Sequence, residues 1–350
     1  MNWVVAGYVR IPSFPLTASC FTGGRLLHLQ QMIRPFNLRD LALVHRLGEQ
    51  GVALHTESAL TSNLYPLRGA LANLFVRSDY PTYVWKATEG GATGFIQLYV
   101  REGNHPAYIL YLSAIDETAV SNSNPPIPQV HETGWLALLD RAVSEVGQQG
   151  IHNLVAEVNE TGPELPILRR AGFAVYMRQD IWVLGHADQS NTDMASLAMT
   201  PYEKGDDWEV QLLYANTVPR LVQMVDPMPP TSEGEGWVLR EAGELSAFIH
   251  LHQGDTATWL RLFIHPNAEA HADEIVASLL HLKQESVISP VYCCLPRYQS
   301  WLQGGLERTG FRFWGSQAVM VKHTVQHLQK ALAKTAVLET SGVPVRNYEG

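Results

Sequence analysis

The chain has 350 residues, 46% of them apolar and 17% charged, which is enough to bury the cores of about two domains and too apolar for a disordered chain. A formal net charge of −9 argues against the broad basic face that nucleic-acid binding usually needs. Three cysteines without a CxxC pair give no disulfide framework, and no apolar run reaches the roughly 20 residues of a spanning helix. No basic stretch precedes the apolar residues at the start, so a secretory leader is not expected. The expectation is a cytoplasmic protein with neither nucleic-acid nor membrane partners.

Residues 1–31 read as an extension ahead of a domain covering 32–185. Ile33-Arg34-Pro35 suits a short strand, and Asn37 or Asp40 suits the cap of a helix carrying Leu41, Val44 and Leu47 on one face. A second helix is predicted over Leu67–Val76. Three strands follow, Thr82–Ala87, Gly94–Val100 and Ala107–Ile115, separated by Gly90-Gly91 and Gly103-Asn104. After a polar, Pro-rich loop, Leu136, Leu139, Val143 and Val146 recur at helical spacing within Trp135–Val146. A buried strand (Leu154–Val158), a short helix (Leu165–Ala171) and a closing strand (Phe173–Leu184) complete this part.

The polar stretch 186–198 reads as a linker, and a second domain over 199–335 repeats the order in shorter form. Its elements are a helix at Trp208–Asn216, strands at Trp237–Arg240, Ala247–His250 and Thr258–Ile264, and a helix at Ala272–Leu282. A strand at Val291–Leu295, a helix at Tyr298–Arg308 and a closing strand at Phe311–Val321 follow. Residues 322–335 read as a terminal helix and 336–350 as a tail. The repeat is visible in the letters: LRRAGFAVYMRQDIWV (168–183) aligns without a gap on LERTGFRFWGSQAVMV (306–321), pairing Gly172 with Gly310, Phe173 with Phe311 and Gln179 with Gln317. Self-similarity at domain length means two copies of one fold.

The order β-α-α-β-β-β-α-β-α-β, ending in helix–Gly-Phe–strand, resembles the GNAT superfamily of acetyl-CoA-dependent N-acetyltransferases. The resemblance implies a mixed α/β (α+β) fold in tandem, each copy a mostly antiparallel mixed sheet with helices on both faces. It also implies acetyl-CoA, or another acyl-CoA, as co-substrate. In that family the carrier threads between two strands that part. Its pantetheine pairs with the backbone of the fourth strand, here Leu112, Ser113 and Ile115. Its pyrophosphate sits on the N-terminus of the central helix, where free N–H groups and the helix dipole favour anions.

The family pattern there is Arg/Gln-x-x-Gly-x-Gly/Ala, matched in the first copy by His131-Glu132-Thr133-Gly134-Trp135-Leu136. Gly134 fits, His131 replaces the Arg or Gln, and Leu136 replaces the second small residue. This makes His131, Thr133, Gly134 and Trp135 the candidate cofactor residues. The second copy offers His271-Ala272-Asp273-Glu274-Ile275-Val276, which lacks both small positions and sets Glu274 where phosphate would lie. The first copy is therefore the expected CoA site.

Transfer to an amine needs a base and an acid. Glu157, in an apolar strand, is the candidate base, with Asp116 and Glu117 weighed beside it. The family's Tyr acid, four residues before the final Gly, is Leu168 in one copy and Leu306 in the other. His250, His252 and His265 as a metal site, Cys293 or Cys294 as a nucleophile, and Trp259, Trp301 and Trp314 as a stacking platform each have a simpler reading as surface or core residues. The expected activity is acyl-CoA-dependent N-acylation of a small-molecule or peptide amine in the first copy. The alternative is a ligand-binding or protein-interaction module that kept the fold and lost the chemistry.

Overall fold

The structure is a computed structural model that describes residues 33–62, 66–75, 79–87, 91–101, 105–116, 131–185, 197–229, 234–282, 288 and 290–324. The extension 1–31, Glu117, most of the linker and the tail lie outside the described residues. The first copy contains β1 (Ile33–Pro35), a 3-10 turn, α1 (Leu41–Gly48), β2 (Val52–Ala53), α2 (Thr56–Thr61) and α3 (Pro66–Phe75). It continues with β3 (Thr82–Lys86), β4 (Ala92–Tyr99), β5 (Ala107–Asp116), α4 (Glu132–Gln148), β6 (Asn153–Asn159), α5 (Glu164–Arg170) and β7 (Ala174–Leu184).

The second copy contains β8 (Thr200–Pro201), α6 (Asp207–Thr217), α7 (Arg220–Gln223), β9 (Glu235–Glu241), β10 (Glu244–Gln253) and β11 (Thr258–Ile264). Then come α8 (Ala272–Leu282), β12 (Val291–Pro296), a 3-10 turn (Arg297–Leu302), α9 (Gln303–Arg308) and β13 (Arg312–His323). The elements predicted between Ile33 and Val321 are present, with shifted ends, and residues 325–335 of the expected terminal helix lie outside the described residues. The short pieces β2, α2, β8 and α7 were not predicted. Lys322 and His323 belong to β13, where a terminal helix was expected to begin; strand pairing with β6 continues through them.

Local chemistry explains the repeated phrase. Gly172 and Gly310 adopt left-handed backbone (φ 87° and 90°). The N–H of Phe173 donates to Leu168 O and that of Phe311 to Leu306 O, both at 3.0 Å, while the Gly N–H groups donate to Arg169 O and Glu307 O. This is a Schellman C-cap, made twice, in which the residue after Gly packs back on the helix. Leu168 and Leu306 are therefore core residues at a helix end, exposed by 0% and 1%.

The strands join into one mixed sheet across both copies, in the order β1-β3-β4-β5-β6-β13-β7-β12-β11-β10-β9-β8. Pairing is antiparallel except at β5–β6 and β11–β12. The closing strands are exchanged: β13 of the second copy lies between β6 and β7, and β7 of the first lies between β13 and β12. Gln179 and Gln317, matched in the repeat, stand opposite each other in the β7–β13 register. Gln179 Nε2 donates to Gln317 Oε1 at 3.2 Å.

Each copy has its own apolar core against its long helix. In the first, Leu138, Leu139, Ala142 and Val146 of α4 pack on Leu154, Ala156 and Val158 of β6; burying one such Leu contributes about 2 kcal/mol. In the second, Ile275, Val276 and Leu279 of α8 pack on Leu260 and Leu262 of β11. The segment after each first helix crosses over to the other copy. Leu60 of α2 packs against Trp259 and Cys294, and Val225, just after α7, packs against Val155 and Val319.

Candidate functional site

The candidate cofactor seat in the first copy is occupied by the protein's own groups. His131 caps α4, its Nδ1 accepting the Gly134 N–H at 3.0 Å, and its backbone N–H donates to Ala114 O at 2.8 Å. The Trp85 indole lies over this end, its ring 5.1 Å from that of His131. A Cβ built on Gly134 would stand 2.5 Å from Trp85, so the space a phosphate needs is filled by an aromatic ring. Trp135 is buried in the core, Thr133 is exposed, and Glu132 pairs with Arg170 at 2.5 Å.

The strand edge is occupied as well. β5 and β6 pair only at Ala107–Leu154 and Tyr108–Val155 and then part. The gap holds residues 52–54: Val52 pairs with Leu112 and Ala53 with Tyr111, the Leu54 N–H donates to Leu110 O (3.0 Å), and the Glu157 N–H donates to Leu54 O (2.8 Å). Ser113 and Ile115 pair with Phe95 and Thr93 of β4. The expected pantetheine path along Leu112, Ser113 and Ile115 therefore meets backbone groups already in use. The reason lies outside the motif, in residues 52–54, which precede β5 in the chain and behave as an inserted strand.

In the second copy β11 pairs with β12 only as far as Arg261–Cys294. Among the described residues no strand covers that edge beyond Arg261. Its helix N-terminus is closed differently: Asp273 Oδ1 accepts the Glu274 N–H (3.1 Å), and Asp273 Oδ2 accepts from Arg308 Nε (2.5 Å). Two carboxylates stand where a pyrophosphate would bring more negative charge. At about 4 Å two like charges repel by roughly 1 kcal/mol even in water. The residues at both helix N-termini do not fit the diphosphate of CoA.

What the fold does build is a central chamber of about 70 Å³ at the crossing of the exchanged strands. Glu157 from β6, Gln179 from β7, Arg261 from β11, Cys294 from β12 and Gln299 from the 3-10 turn after it line the chamber. Glu57 of α2 and Asp226 after α7 form the roof. Glu157 Oε2 accepts the Thr56 N–H at 2.7 Å, capping α2 from the neighbouring strand. Arg261 Nη2 donates to Asp226 Oδ2 at 2.6 Å. Glu57 Oε1 lies 2.7 Å from His252 Nδ1.

Burial sets the protonation behaviour here. Burial pushes Glu57 up, but the His252 hydrogen bond and the charges of His55, His252 and Arg261 outweigh it and hold the carboxyl at about 2. Burial dominates for Asp226 and raises it, against the opposing pull of Arg261 and with a push from Glu157 and Glu57. Burial opposes the charge on Arg261, yet Asp226, Cys294, Glu57 and Tyr108 together outweigh it and raise the group. The phenols of Tyr108 and Tyr298 are pushed up, chiefly by burial. Two carboxylates driven apart in one enclosure is a pattern that marks functional sites.

The other candidates have structural roles. Asp116 ends β5 opposite Ala92. His252 bonds Glu57, His265 caps the following 3-10 turn (Asn267 N–H to Nδ1, 3.2 Å), and His250 is buried in the chamber wall. Cys293 and Cys294 are buried, with thiols pushed up by that burial; Cys294 Sγ donates to Gln179 Oε1 at 3.3 Å. Trp259 and Trp301 pack in cores, and Trp314 lies edge-on to Tyr292. Of the residues predicted as catalytic or cofactor-binding, only Glu157 lines the chamber; His250, Trp259 and Cys294, weighed for other roles, line it too. Arg261 carried a readable signal, a charge in the middle of the apolar strand TWLRLFI. Glu57, Asp226 and Gln299 carried none.

No family model matches the sequence, and the search of curated proteins returns no match. Among solved structures, a glucosamine N-acetyltransferase region in a fungal multi-domain beta-N-acetylglucosaminidase aligns with a TM-score of 0.51 at 13% identity, over 83% of this chain and 38% of that one. A GCN5-related N-acetyltransferase from Sphaerobacter thermophilus aligns at TM-score 0.49 and 10% identity, over 83% and 95% of the two chains. A tandem GNAT protein from the clavulanic acid biosynthesis pathway aligns at 0.48 and 13%, over 83% and 98%. At these identities the likeness is one of fold. The chain has the fold of the GCN5-related N-acetyltransferases. It carries that fold twice, with the closing strands exchanged between the copies.

Proposed function

We propose that the protein binds a small amine-bearing molecule in the central chamber and does not seat acetyl-CoA or another acyl-CoA at either helix N-terminus. The observation that carries this reading is the state of the anion seats: Trp85 stands over Gly134 in one copy, and Asp273 with Arg308 closes the other. A site filled by the protein's own side chains has no vacancy for a diphosphate. The chamber, by contrast, has volume, buried ionisable groups and a location between two copies of the fold, where ligand sites are commonly built. Glu57, Glu157 and Asp226 give it the carboxylates that attract an ammonium group.

Thermal unfolding tests the proposal, because a ligand that binds only the folded state raises the Tm. Millimolar ethylamine is expected to raise the Tm, and Glu157→Gln to reduce that shift. Millimolar acetyl-CoA is expected to leave the Tm unchanged. One observation favours a second reading, acyl transfer to the bound amine in the second copy: the edge of β11 beyond Arg261 has no paired strand among the described residues. A Tm rise with acetyl-CoA would replace the first reading with the second. Loss of that rise in Gly134→Glu would return the cofactor to the first copy.

A further inference from the structure

The chamber walls point to a narrower ligand class, and this step rests on the chamber being the binding site. Gln299 lines the chamber, is 3% exposed, and its Nε2 has no hydrogen-bond partner in the protein. A buried donor left unmade is costly, which makes a ligand acceptor the natural partner. Gln299 is placed there by a kink: its backbone (φ −112°, ψ 22°) is non-helical inside the turn that follows β12. Arg261, from the strand beside β12, also lines the chamber. A guanidinium carries five N–H donors, more than the Asp226 carboxylate takes up. The chamber thus offers donors for an anionic group on the β11–β12 side and the carboxylates of Glu57 and Glu157 on the α2–β6 side.

Charge and size narrow the ligand further. The acidic and basic lining groups are the carboxyls of Glu57, Glu157 and Asp226 and the guanidiniums of Arg101 and Arg261. An anion alone would face three carboxylates. A cation alone would leave the Gln299 donor unmet. A molecule bearing both charges answers both walls and adds no net charge to a buried site, where uncompensated charge is expensive. A chamber of about 70 Å³ holds roughly five water-sized positions, which suits a ligand of a few non-hydrogen atoms. We propose that the ligand is a small zwitterion of amino-acid type, its carboxylate met by Gln299 and Arg261 and its ammonium by Glu57 and Glu157.

The test compares matched probes at one concentration by thermal shift and by calorimetric titration: alanine, ethylamine and propionate. Alanine is expected to raise the Tm at least twice as far as either partial probe. In Gln299→Leu, and in the length-preserving Gln299→Met that guards against a folding defect, the alanine shift is expected to fall to the level of ethylamine. Equal shifts for alanine and ethylamine in the wild type would overturn the zwitterion and leave an amine site. No shift with any of the three would overturn both the zwitterion and the chamber as a binding site. A full alanine shift retained in both Gln299 variants would remove Gln299 from recognition and sink the assignment of its carboxylate.

Discussion

Gly134 shows how much one missing methyl group decides. Its lack of a side chain leaves room for Trp85, whose ring would stand 2.5 Å from any Cβ there. Gly134→Ala is therefore expected to lose about 1–3 kcal/mol through overpacking, seen in urea unfolding; an unchanged midpoint would mean that Trp85 is not fixed over the helix end. The roof of the chamber makes a second prediction. Glu57 is held at about 2 against an ordinary 4.5. A carboxyl depressed by folding adds stability above its unfolded value and loses it as pH falls through the folded one. Between pH 4.5 and about 2 the wild type should therefore lose more stability than Glu57→Gln; parallel pH profiles would refute it. Asp226→Ala would strand Arg261 without its partner and is expected to cost about 3 kcal/mol, as for other broken buried pairs. A loss under about 1 kcal/mol, the size of a surface pair, would show the pair to be solvated.

At the level of single elements, the repeated Gly-Phe is a helix terminator whose chemistry is wholly local, and it was readable in the letters. Gly172 and Gly310 sit in left-handed backbone, so Gly172→Ala and Gly310→Ala are each expected to cost about 1–2 kcal/mol. Similar losses in the two variants, by chemical denaturation, would check that the two caps are equivalent. The same local logic located α4 and α8, whose apolar residues repeat at helical spacing. It could not locate β2 or α2. Two strand residues and six helical residues contain too little periodicity to be read. They are held from far away, by Leu110 and Leu112 on one side and by Glu157 capping Thr56 on the other. That insertion lies in the gap expected to receive pantetheine, and it is held there by tertiary neighbours rather than by anything in the motif.

Over the whole molecule, the exchange of β7 and β13 makes each copy incomplete without the other. A chain cut within 186–196 is expected to stay associated in native buffer and to separate only in denaturant. Two halves that part on gel filtration without denaturant would contradict the exchange. The crossing of α2 onto the second copy is equally close: a Cβ on Gly254 would collide with the backbone of Thr61. Composition, helical spacing and the duplicated phrase by themselves determined that there are two copies of a mixed fold, and where most strands and helices run. Those properties depend on residues within one or two turns of each other. Which strand lies beside which, which seats are filled and where the charges gather were decided only by the tertiary structure. Glu57, Glu157, Asp226 and Arg261 are far apart along the chain, and only the strand exchange and the two crossing segments bring them to one enclosure, where burial and mutual charge set their chemistry.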